Sequence, residues 1–352
     1  MTGALGIDPW LREHLVCPRD HRPLSESSGA LRCELGHTYP VVDGVAVMLL
    51  SDVPQTFGAA RSSMERAPRG ASDQRAPEWY LESVEISDSE KRGVLELAER
   101  RPSVDPVVAY LVAATNGLMY RHLIGRLESY PIPEISLPAG DGRILLDVGC
   151  SWGRWTIAAA RRGYRAVGID PSLGAVMAAR RVARQLNVEG TFVVGDARYL
   201  PFSNGAFDTV FSYSVIQHFS RDDARRAVGE IGRVLTPRGT ARVQMPTRYG
   251  PRCLYHQARR GFSDGQGFDV RYWRLRDLSR LFTDTVGPST LEVDGYFGIG
   301  LQQTDAHLMT NTRRAVLGAS LWLTRASRRL PWLIRVADSV YVQATKPQRT
   351  LQ

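Results

Sequence analysis

Two Cys-x-x-x-His pairs stand near the amino end of the chain, Cys17-Pro18-Arg19-Asp20-His21 and Cys33-Glu34-Leu35-Gly36-His37. Thiolate and imidazole are zinc ligands, and two such knuckles with enough chain between them to fold back supply a tetrahedral set. The candidate ligands are Cys17, His21, Cys33 and His37, with Asp20 as the alternative to one histidine. Four protein ligands leave no open coordination position, so such a zinc would be structural. A metal-free module held by a small core is the competing reading. A second set of residues lies further on. Asp147-Val148-Gly149-Cys150-Ser151-Trp152-Gly153 follows an apolar run that begins at Ile144, Asp170 ends Val167-Gly168-Ile169, and Asp196 follows Val194-Gly195. Glycines in the first segment let backbone pass close to a ligand, and carboxylates at strand ends accept hydrogen bonds. Asp170 stands where a carboxylate takes paired ribose hydroxyls, and Asp196 suits an exocyclic amine. Asp147 would be unwelcome beside a pyrophosphate but suits a cationic amino-acid group. No Gly-x-x-x-x-Gly-Lys-Ser/Thr is present, which argues against a P-loop. His218, and behind it Tyr255 and His256, could serve as a general base, although a packed structural histidine is the ordinary alternative.

These residues need elements to hold them. After Gly142 the pattern alternates strand and helix, the signature of a parallel sheet covered on both faces. Strands are expected at Ile144 to Val148, Ala166 to Ile169, Phe192 to Val194, Thr209 to Tyr213, Ala241 to Met245, Leu291 to Phe297 and Val340 to Thr345. A helix is expected from Thr156 to Arg161, opening off the glycine-bearing turn. Residues 1–50 read as a small β module, with Asp43-Gly44 marking a tight turn between apolar runs. Residues 51–85 are expected to be a linker, since Ser51 to Pro77 is rich in Ser, Ala, Arg, Gly and Pro without apolar periodicity. From 86 to 140 helical patterns dominate: Ser87 to Glu90 offers caps, Val107 to Leu127 has apolar residues at helical spacing, and Tyr130-Pro131 ends the run. Residues 141–246 would form the binding core and 247–352 the remaining half.

The ordered series from Ile144 to about Pro246 resembles the class I S-adenosylmethionine-dependent methyltransferase family, over roughly a third of the chain. The resemblance implies an α/β, Rossmann-like sheet of seven strands and an S-adenosylmethionine cofactor. It places the Asp147, Gly149, Ser151 and Gly153 loop against the methionine part, Asp170 at the ribose, and Asp196 with Ala197 at the adenine. Ser151 departs from the family's middle glycine. The segment Leu15-Val16-Cys17-Pro18 through Val45 resembles the zinc-ribbon family of tRNA-methyltransferase activators, although Asp20 and Gly36 stand where second cysteines are expected.

The charge is +9, from 45 Lys+Arg against 36 Asp+Glu, and only Lys91 and Lys346 are lysine. That balance suits an anionic partner, although base composition of the gene would also enrich arginine. No signal-like stretch or apolar run of spanning length is seen, so a cytoplasmic location is expected. Between the last two strands, Ala315 to Leu323 is apolar and is flanked by Arg313, Arg314, Arg325, Arg328, Arg329 and Arg335, with Trp322 and Trp332 alongside. This suits an anionic or interfacial acceptor and peripheral membrane contact; a surface helix packed on the sheet is the bland equivalent. The leading functional expectation is methyl transfer to a small-molecule acceptor held between the helices before Gly142 and the insertion after Gly298. Zinc-ribbon ribosomal RNA guanine methyltransferases, acting on nucleic acid, and a catalytically silent cofactor-binding subunit are the alternatives.

Overall fold

The computed structural model describes residues 5–69, 96, 104–116, 118–123, 127–298, 300 and 302–348. The first fifty residues give α1 (Pro9–His14) and four short strands, β1 (Leu24–Ser27), β2 (Ala30–Cys33), β3 (Thr38–Val42) and β4 (Val45–Met48). The central part alternates β5 (Ile144–Val148), α4 (Arg154–Arg161), β6 (Arg165–Asp170), α5 (Leu173–Gln185), β7 (Thr191–Gly195), β8 (Phe207–Tyr213), α6 (Arg221–Val234) and β9 (Leu235–Pro246). Among the described residues, α2 (Gly58–Arg66) and α3 (Pro106–Asn116) lie between the N-terminal segment and this central part. After it come α7 (Pro251–Arg259), α8 (Leu275–Thr285), β10 (Ser289–Gly295), α9 (Asn311–Ser327) and β11 (Ser339–Thr345).

The strands form one sheet in the order β1-β2-β3-β4-β7-β6-β5-β8-β9-β11-β10. Its centre is parallel, and β11 returns antiparallel between β9 and β10. The α/β architecture is as expected, but the expectation of a seven-stranded sheet is corrected: eleven strands are present among the described residues. The four extra strands are the N-terminal ones, which continue the main sheet through β4, paired in parallel to β7 at Val47 with Val194 and Met48 with Gly195. The reason is visible in Val45-Ala46-Val47-Met48, buried at every position, as a strand covered on both faces must be. An exposed β7 edge would offer unpaired backbone groups, and β4 removes it.

The N-terminal segment also shares its core with the main sheet. Trp10, Leu11 and Leu15 lie in the same buried cluster as Phe202 and Phe207, with the Trp10 and Phe207 rings edge-on at 5.4 Å. Leu15 makes an isolated antiparallel bridge to Phe202.

Two further expectations are corrected in detail. Inside the expected 51–85 linker, Gly58–Arg66 is a helix whose buried face is Ala59, Ala60 and Ser63. Small residues escaped notice as an apolar stripe, yet they are what close helix approach requires: Ser63 Oγ accepts from the Leu173 N–H at 2.8 Å and donates to the Pro171 carbonyl at 2.9 Å. The helix expected over Val107 to Leu127 stops at Asn116, and a 3-10 turn occupies Leu118–Leu123. Asn116-Gly117 is a poor helix continuation, which accounts for the break. The capping segment at Ser87 to Glu90 lies outside the described residues.

Because Trp10 belongs to the shared core, Trp10→Ala should destabilise the whole protein by about 3–5 kcal/mol, as a buried aromatic truncation does. Denaturant unfolding followed by far-ultraviolet circular dichroism should show one transition moved as a whole. A separate early transition with the main one unshifted would show that the N-terminal segment folds alone.

Candidate functional site

The strand order reverses direction at β5, whose two neighbours are β6 and β8. In an open parallel sheet that reversal leaves a crevice beyond the carboxyl ends of the strands. Here it opens into a cavity of about 1400 Å³, bounded below by Val148, Gly149, Ile169, Asp170, Gly195 and Tyr213. Pockets for a single small ligand usually occupy roughly 300–1,000 Å³, so this one has room for two.

Of the expected ligand-binding residues, Gly149, Ser151, Asp170, Asp196 and Ala197 line the cavity, whereas Asp147 and Gly153 do not. Asp147 sits behind the loop, fully buried, where its Oδ2 accepts from the Thr156 hydroxyl at 2.7 Å. Burial pushes its carboxyl up to about 7, with the hydroxyl of Thr156 pulling the other way and Asp170 adding to the rise. Gly153 begins α4 with φ 82°, and a Cβ there would sit 2.9 Å from the Ala179 Cβ. Its role is to let α4 pack against α5.

Ser151, the departure from glycine, also has positive φ, at 48°. Side chains avoid that conformation at a cost of roughly 1–2 kcal/mol, so something must hold it. The holder is Asp170, whose Oδ2 accepts from the Ser151 N–H at 3.0 Å while Oδ1 accepts from the Ser172 N–H at 2.9 Å. Burial pushes the Asp170 carboxyl up to about 6 against these two donors. Each oxygen retains lone-pair capacity toward the cavity. Asp196, at the end of β7, is clasped by Arg198: Nη2 donates to Oδ2 at 2.6 Å and Nε to Oδ1 at 3.1 Å.

His218 borders the cavity on a short 3-10 turn after β8. Its ring stacks on Phe268 at 3.9 Å, and Nδ1 lies 2.6 Å from the Phe268 carbonyl, so Nδ1 carries the hydrogen. Nε2 is left as the acceptor and meets the Gln217 amide nitrogen at 3.3 Å. Burial lowers the pKa of the ring, keeping it neutral. Tyr255 and His256 project from α7 into the same cavity, and burial followed by Arg252, Arg259 and Arg260 lowers the pKa of His256.

The sequence reading placed the acceptor wall in the helices before Gly142 and the insertion after Gly298. Among the described residues, only Gly298, Gly300 and Val316 of that pair of regions line the cavity. The wall is instead built by α7, by the 268–272 loop and by Gln55, Thr56, Phe57 and Ala60. Phe57 stacks on Phe268 at 4.8 Å, closing the ring between the two sides. No pattern in the supposed linker pointed to these residues. In α7, though, Arg252, Tyr255, His256 and Arg259 fall at helical spacing on one face, a signal available beforehand.

At the N-terminal end, Cys17, Asp20, Cys33 and His37 present ligand atoms all within 4.8 Å of one another. His21 is corrected out of the expected set. It has φ 58° and turns away, with Nε2 3.8 Å from Glu230, while Asp20 takes the fourth corner.

Comparison with known proteins agrees with this geometry. Residues 145–239 match the family model described as a methyltransferase domain. A methyltransferase of Synechocystis is 28% identical over 131 residues, 37% of this chain and 59% of that protein. One from Mycobacterium avium is 32% identical over 133 residues, 38% of this chain and 51% of its own length. Norajmaline N-methyltransferase of Rauvolfia serpentina is 32% identical over 103 residues, 28% of this chain and 35% of its own. The chain thus spans about half the length, or less, of most of these curated relatives. Among solved structures, the YcgJ protein of Bacillus subtilis aligns at 19% identity over 61% of this chain and 95% of its own, with TM-score 0.41. Residues 145–239 of this chain are thus similar to a methyltransferase domain.

Proposed function

We propose that the protein transfers a methyl group from S-adenosylmethionine to a small-molecule acceptor enclosed in the cavity above the sheet. The observation that carries this reading is the single cavity running from Gly149 and Asp170 to the Tyr255 and His256 wall. Cofactor and acceptor would share one enclosure, so a nucleophile can be held in line with the methyl group. S-adenosylmethionine, when bound, supplies an electrophilic methyl on a sulfonium. Asp170 would accept the ribose hydroxyls, Asp196 and Ala197 would face the adenine, and Gly149 and Ser151 would give backbone along the methionine part. Asp147 and Gly153 act through the loop, not by contact. Positioning provides most of the rate in such a transfer, because charge is dispersed as the reaction proceeds.

Arg252 and Arg259 line the acceptor side, each within 6 Å of the Tyr255 ring, and neither meets a carboxylate among the described residues. An acceptor with an anionic group and an apolar or aromatic body fits that wall. Where it arrives protonated, neutral His218 is the base, its Nε2 taking the proton once Gln217 yields the lone pair.

The N-terminal cluster is proposed as a structural zinc site of Cys17, Asp20, Cys33 and His37. The separations fit tetrahedral edges: His37 Nδ1 lies 3.5 Å from Cys17 Sγ, 3.3 Å from Cys33 Sγ and 3.2 Å from Asp20 Oδ2. The Tyr39 hydroxyl, 3.1 Å from Cys17 Sγ, would steady that thiolate.

Two measurements test these readings. Calorimetric titration with S-adenosylhomocysteine should show binding that weakens as pH falls through about 6, because the ionised Asp170 is the better acceptor for two hydroxyls. Asp170→Asn should cost about 1–3 kcal/mol of affinity and flatten that pH step. Unchanged affinity in the folded variant would remove Asp170 from the ribose. Elemental analysis should find about one zinc per chain, lost in Asp20→Ala and retained in His21→Ala. Retention in the first and loss in the second would restore the original ligand set.

A further inference from the structure

The arginine and tryptophan segment between β10 and β11 has no part in the cavity beyond Val316. The structure shows what it presents. Along α9 the exposed positions Ala315, Gly318, Ala319, Trp322 and Arg325 fall at helical spacing on one face, and exposed Arg329 lies in the turn just after it. The opposite face packs inward through Leu317 and Ser320. The chain then continues through exposed Arg328, Leu330 and Pro331 into a 3-10 turn (Pro331–Val336) that exposes Trp332, Arg335 and Val336. Trp322 is 67% and Trp332 58% exposed, values at odds with any role in packing this chain.

Two features show what meets this face. From Asn311 to Ala337 there are six arginines and no acidic residue, and Arg325, Arg328, Arg329 and Arg335 meet no carboxylate among the described residues. Cationic charge without local compensation calls for an anionic partner. The apolar members decide which kind. Two tryptophans suit the boundary between headgroups and acyl chains, while Leu330 and Val336 have no π face for stacking a base and suit burial in hydrocarbon. A second copy pairing through the same face would bring the arginines against each other. No helix is long and apolar enough to cross a membrane among the described residues, so contact would be at the surface.

We infer that the C-terminal half of α9 and the turn after it form a docking surface for an anionic lipid bilayer. Trp322, Leu330, Trp332 and Val336 enter the interface while Arg325, Arg328, Arg329 and Arg335 hold the headgroups. Since Val316 of the same helix lines the cavity, docking would set the cavity beside the bilayer.

Vesicle co-sedimentation with the full chain tests this. Vesicles of phosphatidylcholine mixed with phosphatidylglycerol should bind the protein at low salt, and phosphatidylcholine alone should bind about tenfold less or worse. Trp322→Ala with Trp332→Ala, and separately Arg325→Gln with Arg329→Gln, should each lower binding about tenfold, and added salt should weaken the wild type. All these side chains are exposed, and an unchanged circular dichroism spectrum with retained S-adenosylhomocysteine binding confirms the fold. Absence of binding to the mixed vesicles, equal binding to neutral ones, or binding that survives either double variant would overturn the proposal. So would capture of an RNA oligonucleotide, or self-association, that the same variants abolish.

Discussion

One carboxylate holds the site together. Asp170 ends β6 and accepts from the backbone of Ser151, in the loop after β5, and of Ser172, at the start of α5. It therefore fixes two loops side by side at the place where the sheet reverses direction, and keeps a non-glycine residue in a left-handed conformation. Burial pushes that carboxyl up to about 6 even against the two amide donors, which therefore replace only part of its hydration. A binding site built on a strained loop persists only if its surroundings over-determine it. Here the surroundings include α2, which docks through Ser63 onto the same turn, at Pro171 and Leu173.

A second buried interaction governs the roof. Arg154 at the start of α4 pairs with Asp305 in the insertion, and the Tyr120 hydroxyl donates to the same carboxylate at 2.5 Å. The three residues come from distant parts of the chain and are 5%, 1% and 0% exposed. Such a pair returns little net stability against hydrophobic replacement, yet removing one partner strands a buried charge at a cost of about 3–5 kcal/mol. Its consequence is registration: it ties the 302–308 segment to the helix that follows the glycine-bearing loop, and the Tyr120 hydroxyl also reaches the carbonyl of cavity-lining Gly300. The cavity wall and the glycine-bearing loop are thereby joined through one ion pair.

The Cys17, Asp20, Cys33 and His37 cluster and the main sheet are joined as well. β4 pairs with β7, whose end carries Asp196, so the N-terminal strands steady the edge of the sheet that would face the adenine. A metal holding the Cys17 and Cys33 knuckles would stiffen that edge without taking part in chemistry.

The sequence alone determined the elements around the parallel core. Strand β5 was legible residue for residue, and β6, β7 and β8 to within two residues at each end, because a buried parallel strand is an unbroken apolar run closed by turn signals. The same local logic put Gly149, Asp170 and Asp196 at strand ends and His218 on the turn after β8, and all four line the cavity. Tertiary structure decided everything that depended on which segments meet. It turned Asp147 inward to Thr156, brought Asp20 and not His21 together with Cys17, Cys33 and His37, and made the supposed linker a cavity wall through Ala60 and Phe57. It also spliced a separate-looking β module into the main sheet. The physical reason is common to these cases. Spacing along a chain fixes which face a side chain occupies, whereas partners such as Val47 with Val194, or Arg154 with Asp305, are separated by well over a hundred residues and are selected only by packing.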